Sequence, residues 1–199
     1  AFTYSSSAPL VATVTSGGRV TILKAGTTTI TATQDVCGNY TGGSVSASLV
    51  VSPIAPTIGT LTAPAKNYGD ASFNLTAPTS NSSGAFTYTS SAPGVATVTS
   101  NGGVGVVTIL GAGTTTITAT QEASGNYIGG SVTASLVVSP IAPTIGTLTA
   151  PAKNYGDASF SLTAPTSNSD GAYTYSSSVP SVATVTSSGG VVTIVGAGT

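Results

Sequence analysis

Ser90-Ser91-Ala92-Pro93-Gly94-Val95-Ala96-Thr97-Val98, then Asn101-Gly102-Gly103, then Gly111-Ala112-Gly113-Thr114-Thr115-Thr116-Ile117-Thr118-Ala119-Thr120 decide the fold of this chain. Ala96 and Val98 fall on one side of an alternating run, and so do Ile117 and Ala119. A two-residue period with one apolar face marks a half-buried strand. Ala92-Pro93-Gly94 is turn chemistry, and Asn101-Gly102-Gly103 suits the positive φ of a tight hairpin. No segment sustains a helical period.

Working outward, the same pattern predicts seven short strands: 57–62, 71–77, 85–90, 95–100, 106–110, 114–121 and 131–139. Phe73 with Leu75, Phe86 with Tyr88 and Val107 with Ile109 share faces, as do Val132, Ala134, Leu136 and Val138. One apolar face per strand is what two packed antiparallel sheets require.

The unit then repeats. Ala1-Phe2-Thr3-Tyr4 returns as Ala85-Phe86-Thr87-Tyr88 and as Ala172-Tyr173-Thr174-Tyr175. Leu49 to Phe73 recurs letter for letter at Leu136 to Phe160. A unit this long is a whole small domain, far longer than a solenoid turn of ~20–50 residues. Length varies at the glycine-rich hairpin and almost nowhere else, as an exposed loop allows. Boundaries are expected in Ser52-Pro53-Ile54-Ala55-Pro56 and Ser139-Pro140-Ile141-Ala142-Pro143, where paired prolines favour a short, stiff link. Residues 1–53 then read as the C-terminal part of one copy, 54–140 as a complete copy, and 141–199 as the N-terminal part of a third. The chain reads as an excerpt of a longer array.

Composition narrows the function. Charged residues are 5% of the chain and the net charge is −1, so no basic surface is expected for nucleic acid or anionic lipid. Ser and Thr make up roughly a third of the residues, a strand-and-turn composition. His is absent and five acids are spread over the chain, so no base stands beside any Ser or Thr and no paired carboxylates recur; an enzyme is not expected. The one cysteine, Cys37, becomes Ser124 in the next copy and reads as a chance loop thiol. No apolar run reaches the ~18 residues of a membrane span.

The string Ser90 to Val98, the hairpin, and Gly111 to Thr120 together resemble the bacterial immunoglobulin-like domain of group 2, the tandem repeat of intimins, invasins and other large surface adhesins. The motif recurs at Ser6–Val14 with Ala25–Ala32, and at Ser177–Val185 with Gly196–Thr199. Tyr88 stands where that family often has Trp. The resemblance implies an all-β fold: tandem immunoglobulin-like β-sandwiches of about seven strands in an elongated array. It implies a secreted or cell-surface protein and no catalytic residues. Fold alone does not carry function.

Other constellations weigh little. Lys66-Asn67-Tyr68-Gly69-Asp70, repeated at Lys153–Asp157, reads as a turn with an Asp cap rather than a self-formed Lys–Asn isopeptide, because adjacent side chains point apart on an extended strand. Calcium wants 6–8 oxygen ligands, several of them carboxylates, and the linkers hold no acid, so no metal or cofactor is expected. The row Thr114, Thr116, Thr118 and Thr120 reads as a wet strand face rather than an ice-binding ladder.

Two functional readings follow. In the first the copies are a structural spacer, a stalk or filament shaft of an adhesin. Its partners are the neighbouring identical repeats, and a host or surface glycan or protein is met by other parts of the parent protein. In the second the copies bind carbohydrate or a receptor through their own loops, with Tyr40 and Tyr127 as contacts, the only aromatics of the long loop.

Overall fold

The computed structural model describes residues 1–199, an all-strand chain that divides into two compact units, Ala1–Pro140 and Ile141–Thr199. In the first unit the strands are β1 (Phe2–Ser6), β2 (Ala12–Val14), β3 (Val20–Ile22), β4 (Gly26–Gln34), β5 (Gly43–Val51), β6 (Lys66–Asn67), β7 (Phe73–Asn74), β8 (Phe86–Ser90), β9 (Ala96–Asn101), β10 (Val104–Ile109), β11 (Gly113–Gln121) and β12 (Gly130–Ser139).

Residues 54–140 form an immunoglobulin-like β-sandwich. One sheet has the order β6-β12-β11-β8 and the other β7-β10-β9. Every pairing is antiparallel except β6 with β12. The register sets Ile117 opposite Ala134 and Ser90, and Val107 opposite Val98 and Phe73. β9 turns into β10 through Gly102 (φ 57°) and Gly103 (φ 82°), the left-handed pair that a tight hairpin demands.

The core lies between these sheets. Phe86, Tyr88, Ile117, Ala119, Leu136 and Val138 come from one side and Ala96 and Val107 from the other, with Leu61 and Leu75 closing it. Phe73, Val98, Ile109, Val132 and Ala134 pack on its margin, so every pair that alternation placed on an inward face does line the core. Each fully buried Ile, Leu or Val stabilises the fold by roughly 1.5–3 kcal/mol. The Tyr88 ring packs against Gly105, where an added Cβ would come within 2.8 Å of the ring. Its hydroxyl donates to Gly103 O at 3.2 Å, which pairs the one polar atom of a buried phenol.

The predicted opening strands are corrected. Residues 57–62 form no ladder, only a bridge from Ile58 to Ser80, with Gly59 N donating to Thr79 O and Thr57 N to Asn81 Oδ1. Pro53, Pro56 and Pro64 each lack a donor, so the segment follows the sheet edge instead of joining it. Leu61 still reaches the core. The strand expected at 71–77 shortens to β7, and β6 was not foreseen.

Residues 1–51 give the sheets β1-β4-β5 and β2-β3. β4 and β5 pair in the same register as β11 and β12, Ile30 facing Ala47 as Ile117 faces Ala134. In the second unit β13 (Phe160–Ser161), β14 (Ala183–Val185) and β15 (Val191–Ile194) rebuild the sheet of β7, β9 and β10 in the order β13-β15-β14. Three strands form in this unit. Residues 172–177, the counterpart of β8, gain no ladder, since β8 pairs with β11 and the counterparts of Ile117–Gln121 lie outside residues 141–199.

Candidate functional site: the loops and the hydroxyl knot

Tyr40 and Tyr127 occupy the same place in successive copies. Each closes a four-residue turn in which the backbones of Cys37 and Tyr40, or of Ser124 and Tyr127, bond reciprocally at 3.0–3.1 Å. Gly125 sits at φ 60° to make that turn. Tyr40 is 81% exposed. Tyr127 is half-buried, and the linker lies beside its backbone: Ile54 N donates to Asn126 O and Ile128 N to Ile54 O, both at 2.9 Å. Cys37 is exposed and unpaired. Its counterpart Ser124 sets its hydroxyl 3.0 Å from that of Ser83.

Sequence reading overlooked the hydroxyl knot behind the Ser-Ser-Ala-Pro motif. Thr115 is buried. Its Oγ1 accepts from Ala92 N at 2.9 Å and lies 2.7 Å from Ser90 Oγ and 3.3 Å from Ser91 Oγ. Ser91 Oγ in turn accepts from Thr116 N at 2.9 Å. Thr28 repeats the arrangement with Ser6, Ser7 and the Ala8 amide at 2.7, 3.3 and 3.0 Å. The knot fastens the turn before β9 to β11, and before β2 to β4. Buried polar atoms cost free energy unless paired, so such a cluster fixes one arrangement of the chain.

Gln121 is a second missed residue. It is buried, donates from Nε2 to Ser82 O and Gly84 O at 3.0 and 2.8 Å, and accepts from Ser80 Oγ at 2.7 Å. It pins the Pro78–Gly84 loop to the end of β11. The signal for both residues was their recurrence inside otherwise alternating apolar positions.

Lys66 packs over an aromatic ring. Its ammonium lies 4.8 Å above the centre of the Phe73 ring, and Lys153 repeats this over Phe160 at 5.2 Å. The quadrupole of an aromatic face attracts a cation. Asp70 Oδ2 accepts from Asn67 N at 2.9 Å, and Asp157 from Asn154 N at 3.0 Å, as the cap reading requires. Burial raises the Tyr88 phenol above its ordinary value.

Two hollows of about 560 and 440 Å³ flank Phe160 in the second unit. They are lined by Leu162, Ala183 and Val192, the counterparts of Leu75, Ala96 and Val107. Those residues are core in the middle copy.

The intimin immunoglobulin-like domain matches residues 1–35 and 160–199, and the bacterial Ig-like domain of group 2 matches residues 69–128. The repeats of this chain are similar to these bacterial immunoglobulin-like domains over the matched residues. No curated protein matches the chain. Among solved structures it is similar to domains 1–6 of the surface layer protein SbsC, at 19% identity and a TM-score of 0.33, over 96% of this chain and 28% of that one. It is also similar to Drosophila N-cadherin EC1-3, at 11% identity and a TM-score of 0.38, over 97% of this chain and 76% of that one. The chain thus spans about a quarter of the surface-layer chain it matches.

Proposed function

We propose that this chain is a structural segment of an extracellular bacterial surface protein, a stalk or filament spacer that carries an adhesive domain away from the cell. Its unit is a copy of the length 54–140, bounded by the Ser-Pro-Ile-Ala-Pro links. One observation carries the reading: the residues repeated letter for letter, Leu49–Phe73 and Leu136–Phe160, run from the last strand of one copy through the Ser-Pro-Ile-Ala-Pro link into the opening of the next, whereas the loop before Tyr40 and Tyr127 changes from Asp35-Val36-Cys37 to Glu122-Ala123-Ser124. What is kept constant builds and joins domains. The role is mechanical and calls for no catalysis or cofactor.

Reach is the output of a spacer. A copy built of strands ~20–25 Å long, with loops and a proline link, is expected to add roughly 40 Å of length. Small-angle scattering on chains carrying one, two or three complete copies tests this, and a length that does not grow with copy number contradicts it.

The exposure of Tyr40 supports a second reading, a glycan- or receptor-binding loop formed by Tyr40 and Tyr127. If Tyr40→Ala with Tyr127→Ala abolishes attachment while particle length holds, the binder reading replaces the spacer.

A further inference from the structure

We infer that the asparagine of the Gly-Asn-Tyr loop is a clasp that holds each repeat in a set orientation against the repeat before it. This rests on the spacer reading and concerns its joints. Asn126 Oδ1 accepts a hydrogen bond from Ala25 N at 2.8 Å, a contact between residues 101 positions apart. The backbone carbonyl of the same Asn126 accepts from Ile54 N. One residue therefore ties the end of the first copy, the linker and the loop of the middle copy.

Apolar burial does not seal this joint. A cleft of about 150 Å³ lies between Leu23, Ala25, Val51, Ile54 and Asn126. Leu23 and Ile54 remain 54% and 63% exposed. Without close packing, the directional bonds of Asn126 are what distinguish one orientation from its neighbours.

Both halves of the clasp recur. Asn39 follows Gly38 (φ 56°) in the same reciprocal turn that presents Asn126 after Gly125. Ala112 and Ala197 stand where Ala25 does, each before a glycine of the same extended-positive φ. The donor alanine thus stands in all three copies, and the acceptor loop in the first two. A contact between two different patches, repeated by a constant step, propagates without closing.

Residual dipolar couplings of the whole 1–199 chain in a weakly aligning medium test the clasp. In the wild type, residues 1–53 and 54–140 are expected to fit a single alignment tensor. Asn126→Ala removes the acceptor and shifts the ratio of docked to undocked joints roughly 2–10-fold, the worth of one neutral hydrogen bond. The two sets of couplings then need separate tensors, while the melting temperature of the middle copy holds. Asn126→Asp keeps an acceptor oxygen and keeps the single tensor. Ala25→Pro removes the donor without touching the loop and must behave as Asn126→Ala does. Separate tensors in the wild type, or a single tensor in either Asn126→Ala or Ala25→Pro, would overturn the clasp. The spacer reading fails by a different observable, a particle length independent of copy number.

Discussion

Leu61 and Leu148 are the same residue of the repeat, with the same neighbours in sequence, and they meet opposite fates: 6% exposed against 51%. The middle copy and the third copy differ in this way throughout. Leu75 and Val107 are buried, whereas Leu162 and Val192 are half-exposed. The first copy shows the complementary loss. Ile117, Leu136 and Gln121 are buried, while Ile30 and Leu49 are half-buried and Gln34 is exposed. The Ser-Ser turn follows suit: Ser90 Oγ lies 2.7 Å from Thr115 Oγ1, whereas its counterpart Ser177 accepts from the amide of Val179 at 3.3 Å. Burial here belongs to the completed pair of sheets and not to the letters. A strand composition this poor in charge folds where both faces of the sandwich are present.

The largest effect should come from completing the third copy. Appending a segment identical to Thr115–Pro140 after Thr199 supplies the counterparts of β11 and β12. Leu148, Leu162 and Val192 are then expected to become protected, and a new cooperative unfolding transition to appear. Calorimetry that shows no added transition would break the comparison.

Next, Leu136→Ala in the middle copy is expected to cost about 2–5 kcal/mol, the usual range for a buried leucine. Leu49→Ala should cost clearly less, because its site is only half closed. Denaturant midpoints of the two variants measure the difference directly, and equal losses would show that the first copy is as well packed as the middle one.

Thr115→Val keeps shape and removes the hydroxyl that Ser90, Ser91 and the Ala92 amide share. A buried donor left unpaired costs about 1–3 kcal/mol. Thr28→Val should act similarly on the first copy, since the distances match. Chemical denaturation that finds Thr115→Val neutral would reduce the knot to a surface decoration.

The smallest effect is one of pH. Burial raises the folded-state value of Tyr88, so folding favours its neutral phenol. That contribution is fully present below the unfolded value of about 10 and is lost as pH rises through the folded value. Melting temperature should hold up to about pH 9 and decline beyond about pH 10, and Tyr88→Phe should flatten part of that decline.

Much of this fold was legible in the residues. Alternation located β8 to β12 and named their inward faces, because a half-buried strand writes its burial directly into a two-residue period. Gly102 and Gly103 announced the hairpin. The opening of the repeat was not legible: prolines and a two-residue parallel contact leave no period, so residues 57–62 looked like a strand, and Lys66–Asn67 did not. The knot and Gln121 stayed hidden because Ser, Thr and Gln in an alternating run read as solvent-facing, and only the return of the chain reveals what they pair with. Tyr40 and Tyr127 were legible as loop aromatics. That Tyr127 lies beside the linker depends on Ile54, more than seventy positions away in the chain, and no local pattern carries such a contact.

The unfolding of residues 54–140 on their own tests the central claim most directly. As a complete sandwich with its linker, this segment is expected to give a dispersed amide spectrum and a single cooperative transition, with stability of about 5–10 kcal/mol. Residues 141–199 taken alone are expected to give neither. A collapsed spectrum for 54–140, or equal cooperativity for 141–199, would contradict the account.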